Sequence, residues 1–125
     1  SFLSMPEGER SHIDRDAFAR FLEPPLDSQK VVMLNLLRFV PEGGRERYAE
    51  YGEAVQPLLE EVGARVVFAG DPGPPLIGEE AWDMVLLVEY PSRRDFRAMV
   101  GSEEYRRIEH LRDEALIEGQ LHPMA

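Results

Sequence analysis

Cysteine is absent from the 125 residues, which removes disulfides, thiolate metal sites and a cysteine nucleophile from consideration. Lysine is almost absent: Lys30 stands alone among basic residues that are otherwise arginine, so Schiff-base chemistry has one place to occur. Basic residues as a class are scarce, 14 against 24 acidic ones for a formal charge of -10. A phosphate backbone would meet net repulsion, and nucleic acid is not an expected partner. No apolar run approaches the ~18 residues needed to cross a bilayer, and SFLSMPEGER at the start has neither the charged n-region nor the apolar h-region of a signal peptide. No membrane partner is expected, and a cytoplasmic location is the expectation. Catalytic motifs are missing too: there is no GxSxG elbow, no P-loop and no GxGxxG. His12, His110 and His122 lack the short spacings of a zinc site, and Glu79, Glu80 and Asp83 do not form an EF-hand loop. No metal is expected.

What is present is an ordinary globular chain, 43% hydrophobic and 30% charged, of a length suited to one domain. In IDRDAFARFLEPPLD, Asp14 is a helix N-cap, and Ala17, Phe18, Phe21 and Leu22 share one helical face until Pro24 and Pro25 stop it. Residues 1–30 therefore read as an N-terminal extension with a short helix, and residues 31–125 as the domain proper. VVMLNLLRFV, Val31 to Val40, is apolar on both alternating faces, as in a strand buried on two sides. From Arg45 to Val62, Tyr48, Tyr51, Val55, Leu58, Leu59 and Val62 form a helical stripe, with Gly63 as the stop and Pro57 as a point of bending. ARVVFAG is a second strand, DPGPPLIGEE a loop, and WDMVLLVEY, Trp82 to Tyr90, a third strand with Trp82 and Tyr90 on the face of Met84, Leu86 and Val88. Ser92 with Asp95 starts a helix, Gly101 interrupts it, Ser102 recaps it, and LIEGQLHP closes the chain as a last strand.

The order βαββαβ predicts an α+β, ferredoxin-like sandwich with a four-stranded antiparallel sheet. Two helices cover one face of such a sheet, yet the strands at Val31 and Trp82 are apolar on both. Packing against a second copy, as a dimeric α/β barrel, is the economical cover for the other face. The expected partners are therefore a second copy of the chain and a small-molecule ligand.

VVMLNLLRF, the downstream WDMVLLVEYPS followed by F-x-x-M, and the S-x-E-Y and R-x-x-A-L series resemble the uncharacterised family called domain of unknown function 1330, over roughly Phe18 to His122. That resemblance implies the dimeric α/β-barrel superfamily, which includes cofactor-free monooxygenases, haem-degrading oxygenases and small isomerases; chemistry does not transfer with the fold. Similar sequences carry a His-Arg pair on the last helix and an Asp-Ser-Arg run on the last strand. Here the arginine is Arg112, the histidine position is Leu111, and the run reads Glu118, Gly119, Gln120. The oxygenases place a histidine four residues after the aromatic matched by Tyr105, a position held by Glu109. No haem or other cofactor is expected.

Side-chain angles sort the candidates. Taking Tyr105 as reference at ~100° per residue, Glu109 falls at about 40° and Arg112 at about 340°, facing inward, while His110 at about 140° faces solvent. Arg112 presents a planar fork to a carboxylate, either Glu109 or Glu118 of the protein or that of a ligand. Glu109, Arg112 and Glu118 are the candidate catalytic residues. Asn35, an amide in an apolar strand, Tyr48, Trp82 and Arg112 are the candidate ligand contacts. Arg38 reads as a solvent or salt-bridge residue, and Trp82 and Tyr48 serve equally well as packing. The expected function is a homodimeric barrel with a small-molecule pocket, an enzyme of oxygenase, isomerase or cyclase type acting without a cofactor on a small organic acid or aromatic. The alternative is a non-catalytic ligand-binding or assembly module in which these residues are structural.

Overall fold

The computed structural model describes residues 13–26 and 29–125; His12 lies outside them. Along the chain run α1 (Arg15–Phe21), β1 (Val31–Phe39), α2 (Gly44–Glu61), β2 (Arg65–Gly70), β3 (Met84–Tyr90), α3 (Arg93–Val100), α4 (Glu103–Ala115) and β4 (Leu116–Met124). The strands form one antiparallel sheet in the order β2-β3-β1-β4. This is an α+β, ferredoxin-like fold: β1 sits beside both β3 and β4 because the intervening helices carry the chain back across the sheet.

The caps explain the element boundaries. Asp14, Ser92 and Ser102 each accept a hydrogen bond from the backbone N–H three residues on, at Ala17, Asp95 and Tyr105, which satisfies a donor the helix cannot. The chain enters α2 through Gly43 at φ 79° and leaves it through Gly63 at φ 77°, a left-handed conformation that glycine adopts without a Cβ clash. Pro57 lies inside α2, and the helix is assigned continuously through it. Gly44 is needed for a different reason: a Cβ there would stand 2.8 Å from the Ala115 carbonyl oxygen and 2.9 Å from Phe39 Cβ.

Alternation decides what each sheet face meets. On β1 the odd residues from Val31 to Phe39 are buried and the even ones half-buried. Register places Met84, Leu86, Val88 and Tyr90 beside the odd set, and this is the face the helices cover. Tyr48, Tyr51, Val55 and Leu59 of α2 join Met33, Leu37, Val88, Phe96 and Met99 in one core. Helix α1 packs on its edge, with Phe21 edge-on to Phe96 at 5.7 Å between ring centroids and Arg93 donating to the Phe21 carbonyl at 2.7 Å.

Trp82 departs from the sequence reading. The third strand begins at Met84, because Asp83 turns its groups to the end of β1: its N–H donates to the Leu37 carbonyl at 2.8 Å, and its carboxylate accepts from Phe39 N–H at 2.9 Å. Trp82 thus precedes the strand and does not share the face of Tyr90. Among the described residues, no helix is long and apolar enough to cross a membrane.

Candidate functional site

Between the helix-covered sheet face and the helices lies an open cavity of about 1470 Å³. Its sheet wall comes from Met33, Asn35, Met84, Leu86 and Val88, and its helix wall from Tyr48, Tyr51, Phe96, Tyr105, Glu109 and Arg112. Strand alternation brings the first set to one surface, and the helical stripe brings the second set to face it. The wall is therefore mostly apolar, with polar groups at a few points.

Those polar groups are dominated by tyrosine. The chain has 4 tyrosines, and Tyr48, Tyr51, Tyr90 and Tyr105 all line this cavity. Tyr48 and Tyr51 are 5.4 Å apart between centroids, and Tyr51 meets Tyr105 edge-on at 6.3 Å. The Tyr51 and Tyr105 hydroxyls share a hydrogen bond of 2.9 Å, and the Arg112 charge acts on the Tyr48 hydroxyl. Burial pushes the ionisation of all four phenols above the ordinary value, and the Arg112 charge opposes that rise at each without overcoming it. The hydroxyls consequently remain protonated donors at any physiological pH.

Arg112 reaches this cluster because β4 lacks a side chain where the guanidinium passes: a Cβ on Gly119 would stand 3.1 Å from Arg112 Nη2. Among the described residues, no carboxylate lies within ion-pair distance of Arg112. Glu109 and Asp113 line the cavity at exposed positions on α4. Asn35 is 7% exposed, and its amide nitrogen donates to the carbonyls of Met33 at 3.3 Å and Leu86 at 3.5 Å. Its N–H groups are thus committed to backbone, and what it can offer a ligand is its carbonyl oxygen.

Two of the sequence candidates are elsewhere. Glu118 pairs with Arg38 across β1 and β4, on the sheet face turned away from the helices. Its Oε1 accepts from Arg38 Nε at 3.3 Å, with side chains 0% and 22% exposed respectively. The Arg38 guanidinium lies 4.9 Å from the Trp82 ring centroid, so Trp82 belongs to this second cluster as well. Gln120 donates to the other Glu118 oxygen at 3.3 Å, and His122 is bonded to Gln120 at 2.9 Å. The structure therefore brings together Asn35, Tyr48, Glu109 and Arg112, and it separates Glu118 and Trp82 from them. His110 is exposed. Among the described residues, no group of three His, Cys, Asp or Glu side chains is placed to hold a metal ion.

Sequence reasoning treats Tyr51 mainly as packing and does not single out Tyr90 or Tyr105 as lining the cavity. The signal was available, since Tyr48, Tyr51 and Tyr105 sit on the inward stripes with Arg112, but a buried tyrosine is more often packing than chemistry.

Residues 43–121 match the family described as "Domain of unknown function (DUF1330)". The chain is similar in structure to the RPA0582 protein of unknown function from Rhodopseudomonas palustris, with 34% identity, a TM-score of 0.80, and coverage of 91% of this chain and 95% of that one. A dimeric protein of unknown function and ferredoxin-like fold from Bacteroides fragilis aligns with 14% identity and a TM-score of 0.56 over 79% of this chain and 97% of that one. A dimeric ferredoxin-like protein of unknown function from Thermobifida fusca aligns with 11% identity and a TM-score of 0.55 over 82% and 96%. None of the curated proteins matches.

Proposed function

The chain belongs to the family of unknown function DUF1330, and from that premise we propose that it is a homodimeric α/β-barrel protein that takes a small organic molecule into the cavity between sheet and helices. The observation that carries this reading is the cavity wall itself, mostly apolar with polar groups grouped around Arg112, which is the usual make-up of a small-molecule site. Arg112 and the protonated tyrosines favour negative charge on whatever binds. In a reaction they would stabilise an oxyanion or enolate as it forms, the contribution an isomerase, cyclase or cofactor-independent oxygenase needs most. Glu109, one turn before Arg112, is the carboxylate that would move a proton.

The second copy covers the other sheet face. Val32, Leu34, Leu36, Val85 and Leu87 are only half-buried there, and Phe68, 53% exposed, pairs with Leu87. Such an apolar strip gains ~25 cal/mol for each Å² it buries, and two of the similar solved proteins are described as dimeric.

Light scattering and a ligand screen test the two halves separately. The expected result is a dimer at micromolar concentration, split to monomer by Leu36→Asp. A panel of small aromatic and aliphatic compounds should raise the melting temperature of the wild type, and Leu86→Trp, which places a bulky ring on the sheet wall of the cavity, should reduce those shifts. A folded wild-type monomer would overturn the barrel; a panel with no effect would overturn the pocket.

A further inference from the structure

Arg112 and the tyrosines together carry more donors than acceptors, and the carboxylates of the same wall, Glu109 and Asp113, stand at exposed positions. Arg112 has five N–H groups and no acceptor. The Tyr48 hydroxyl, on which the Arg112 charge acts, has an O–H to give to an acceptor. Of the two O–H groups in the Tyr51–Tyr105 pair, their mutual bond uses one, whichever residue donates. Tyr90 is turned instead to Met99, with its hydroxyl 4.0 Å from the sulfur. A half-buried cluster with more donors than acceptors is completed by a molecule that only accepts, and a carboxylate does so with two oxygens matched to the Arg112 fork.

The charge around the cluster limits that molecule to one negative group. Arg112 is the cation that all four tyrosines sense, whereas Glu109 and Asp113 on the same cavity wall are both acidic, in a chain of net charge -10. A second anionic group would face these carboxylates, and the other arginine of the lining, Arg15, is exposed on α1 between Asp14 and Asp16. The half-buried apolar groups of the sheet wall are Met84 and Leu86, in front of the buried Met33, Val88 and Phe96, and methionine accommodates ring-shaped bodies of varied outline.

We propose that the Arg112–tyrosine cluster is a binding site for a monocarboxylate bearing an apolar, ring-sized body, its carboxylate held by Arg112, Tyr48 and the Tyr51–Tyr105 pair. This rests on the small-molecule reading of the same cavity and narrows it to one ligand class.

Calorimetric titration of the dimer with three matched probes tests it: phenylacetate, its neutral amide phenylacetamide, and the dianion phenylmalonate. Phenylacetate should bind at least about tenfold more tightly than either of the others, a difference of the order of one charge-assisted bidentate contact. Arg112→Met should bring phenylacetate down to the level of the amide. Tyr48→Phe should weaken it by about threefold to tenfold while leaving the amide unchanged. Circular dichroism verifies that each variant is folded, and Arg112→Lys, which keeps the charge without the fork, should retain an intermediate preference for the acid. Equal binding of acid and amide would overturn the carboxylate assignment while leaving the pocket standing. A preference for the dianion, or an undiminished one for phenylacetate in Arg112→Met, would overturn it too. Absence of binding by all three would overturn this assignment, whereas the pocket itself stands or falls with the broader panel.

Discussion

Arg38 and Arg112 stand on opposite faces of one sheet and are completed in opposite ways. Arg38 has its carboxylate, Glu118, directly across the strand pair, with the Trp82 ring against the guanidinium and Gln120 on the second carboxylate oxygen. Every charge in that cluster meets its complement inside the protein, as a structural ion pair requires. Arg112 has tyrosines around it and, among the described residues, no carboxylate within ion-pair distance. The difference teaches that a buried arginine is evidence of a binding site only where its electrostatic complement is left to something else. On that criterion the helix-covered face is the candidate and the Arg38 face is not; in the sequence Arg38 already reads as a solvent or salt-bridge residue and Arg112 as an inward-facing fork.

The largest effect that separates the two faces should appear in alkali. All four tyrosines are on the cavity side, and burial raises each above its ordinary value of 10.0. A group whose folded-state pKa lies above its unfolded one contributes stability that is intact below pH ~10 and is lost as the pH climbs toward the folded values. The unfolded chain sheds those protons first, so stability falls by about 1.4 kcal/mol per pH unit for each tyrosine involved, up to a slope of about 5.6 kcal/mol per pH unit when all four take part. Tyrosinate absorbance at alkaline pH should therefore rise in one step together with loss of circular dichroism. A separate early wave of ionisation in the still-folded protein would place at least one tyrosine outside the buried cluster.

Next in size is the Arg38 pair. Arg38→Met strands a carboxylate that is 0% exposed, and breaking a buried pair on one side typically costs about 3–5 kcal/mol. The partial exposure of Arg38 and the bond from Gln120 put the expectation near ~3 kcal/mol. Arg112→Met should cost far less, about 1 kcal/mol or under, since it strands no charge. Urea unfolding of both variants reads the ratio. Equal costs would mean that the two arginines are structural in the same sense.

The sequence carried the fold almost completely and the site only in part, for identifiable reasons. Caps at Asp14, Ser92 and Ser102 and the glycines at 43 and 63 are local signals, and each sits where a helix starts or stops. The inward direction of Arg112 followed from helical angle alone. What pairs across strands was not legible, because it depends on register: Glu118 opposite Arg38 requires knowing that β4 runs antiparallel to β1 with an irregularity at Arg38 and Phe39. The misplacement of Trp82 has the same origin, since Asp83 spends its hydrogen bonds on the end of β1 and ends the ladder before Trp82. Local chemistry is written in consecutive residues, and cross-strand chemistry is not.

Two glycines, Gly44 where α2 begins and Gly119 on the cavity wall, sharpen the comparison at its finest grain. Gly44→Ala would push a methyl group to 2.8 Å from the Ala115 carbonyl oxygen; backbone gives way reluctantly, so a loss of about 1–3 kcal/mol is expected. Gly119→Ala meets instead the far ends of two side chains, Leu116 Cδ1 at 2.9 Å and Arg112 Nη2 at 3.1 Å. Both can swing aside, which keeps the stability loss under ~1 kcal/mol, but the guanidinium must give way over β4 by about a few tenths of an ångström. If that position serves a ligand, Gly119→Ala should lower the preference for phenylacetate over its amide by about threefold or more while hardly moving the melting temperature. If it serves only packing, the two probes should respond alike. A variant that loses stability but keeps the preference intact would show that Arg112 binds no anion from the place where Gly119 lets it rest.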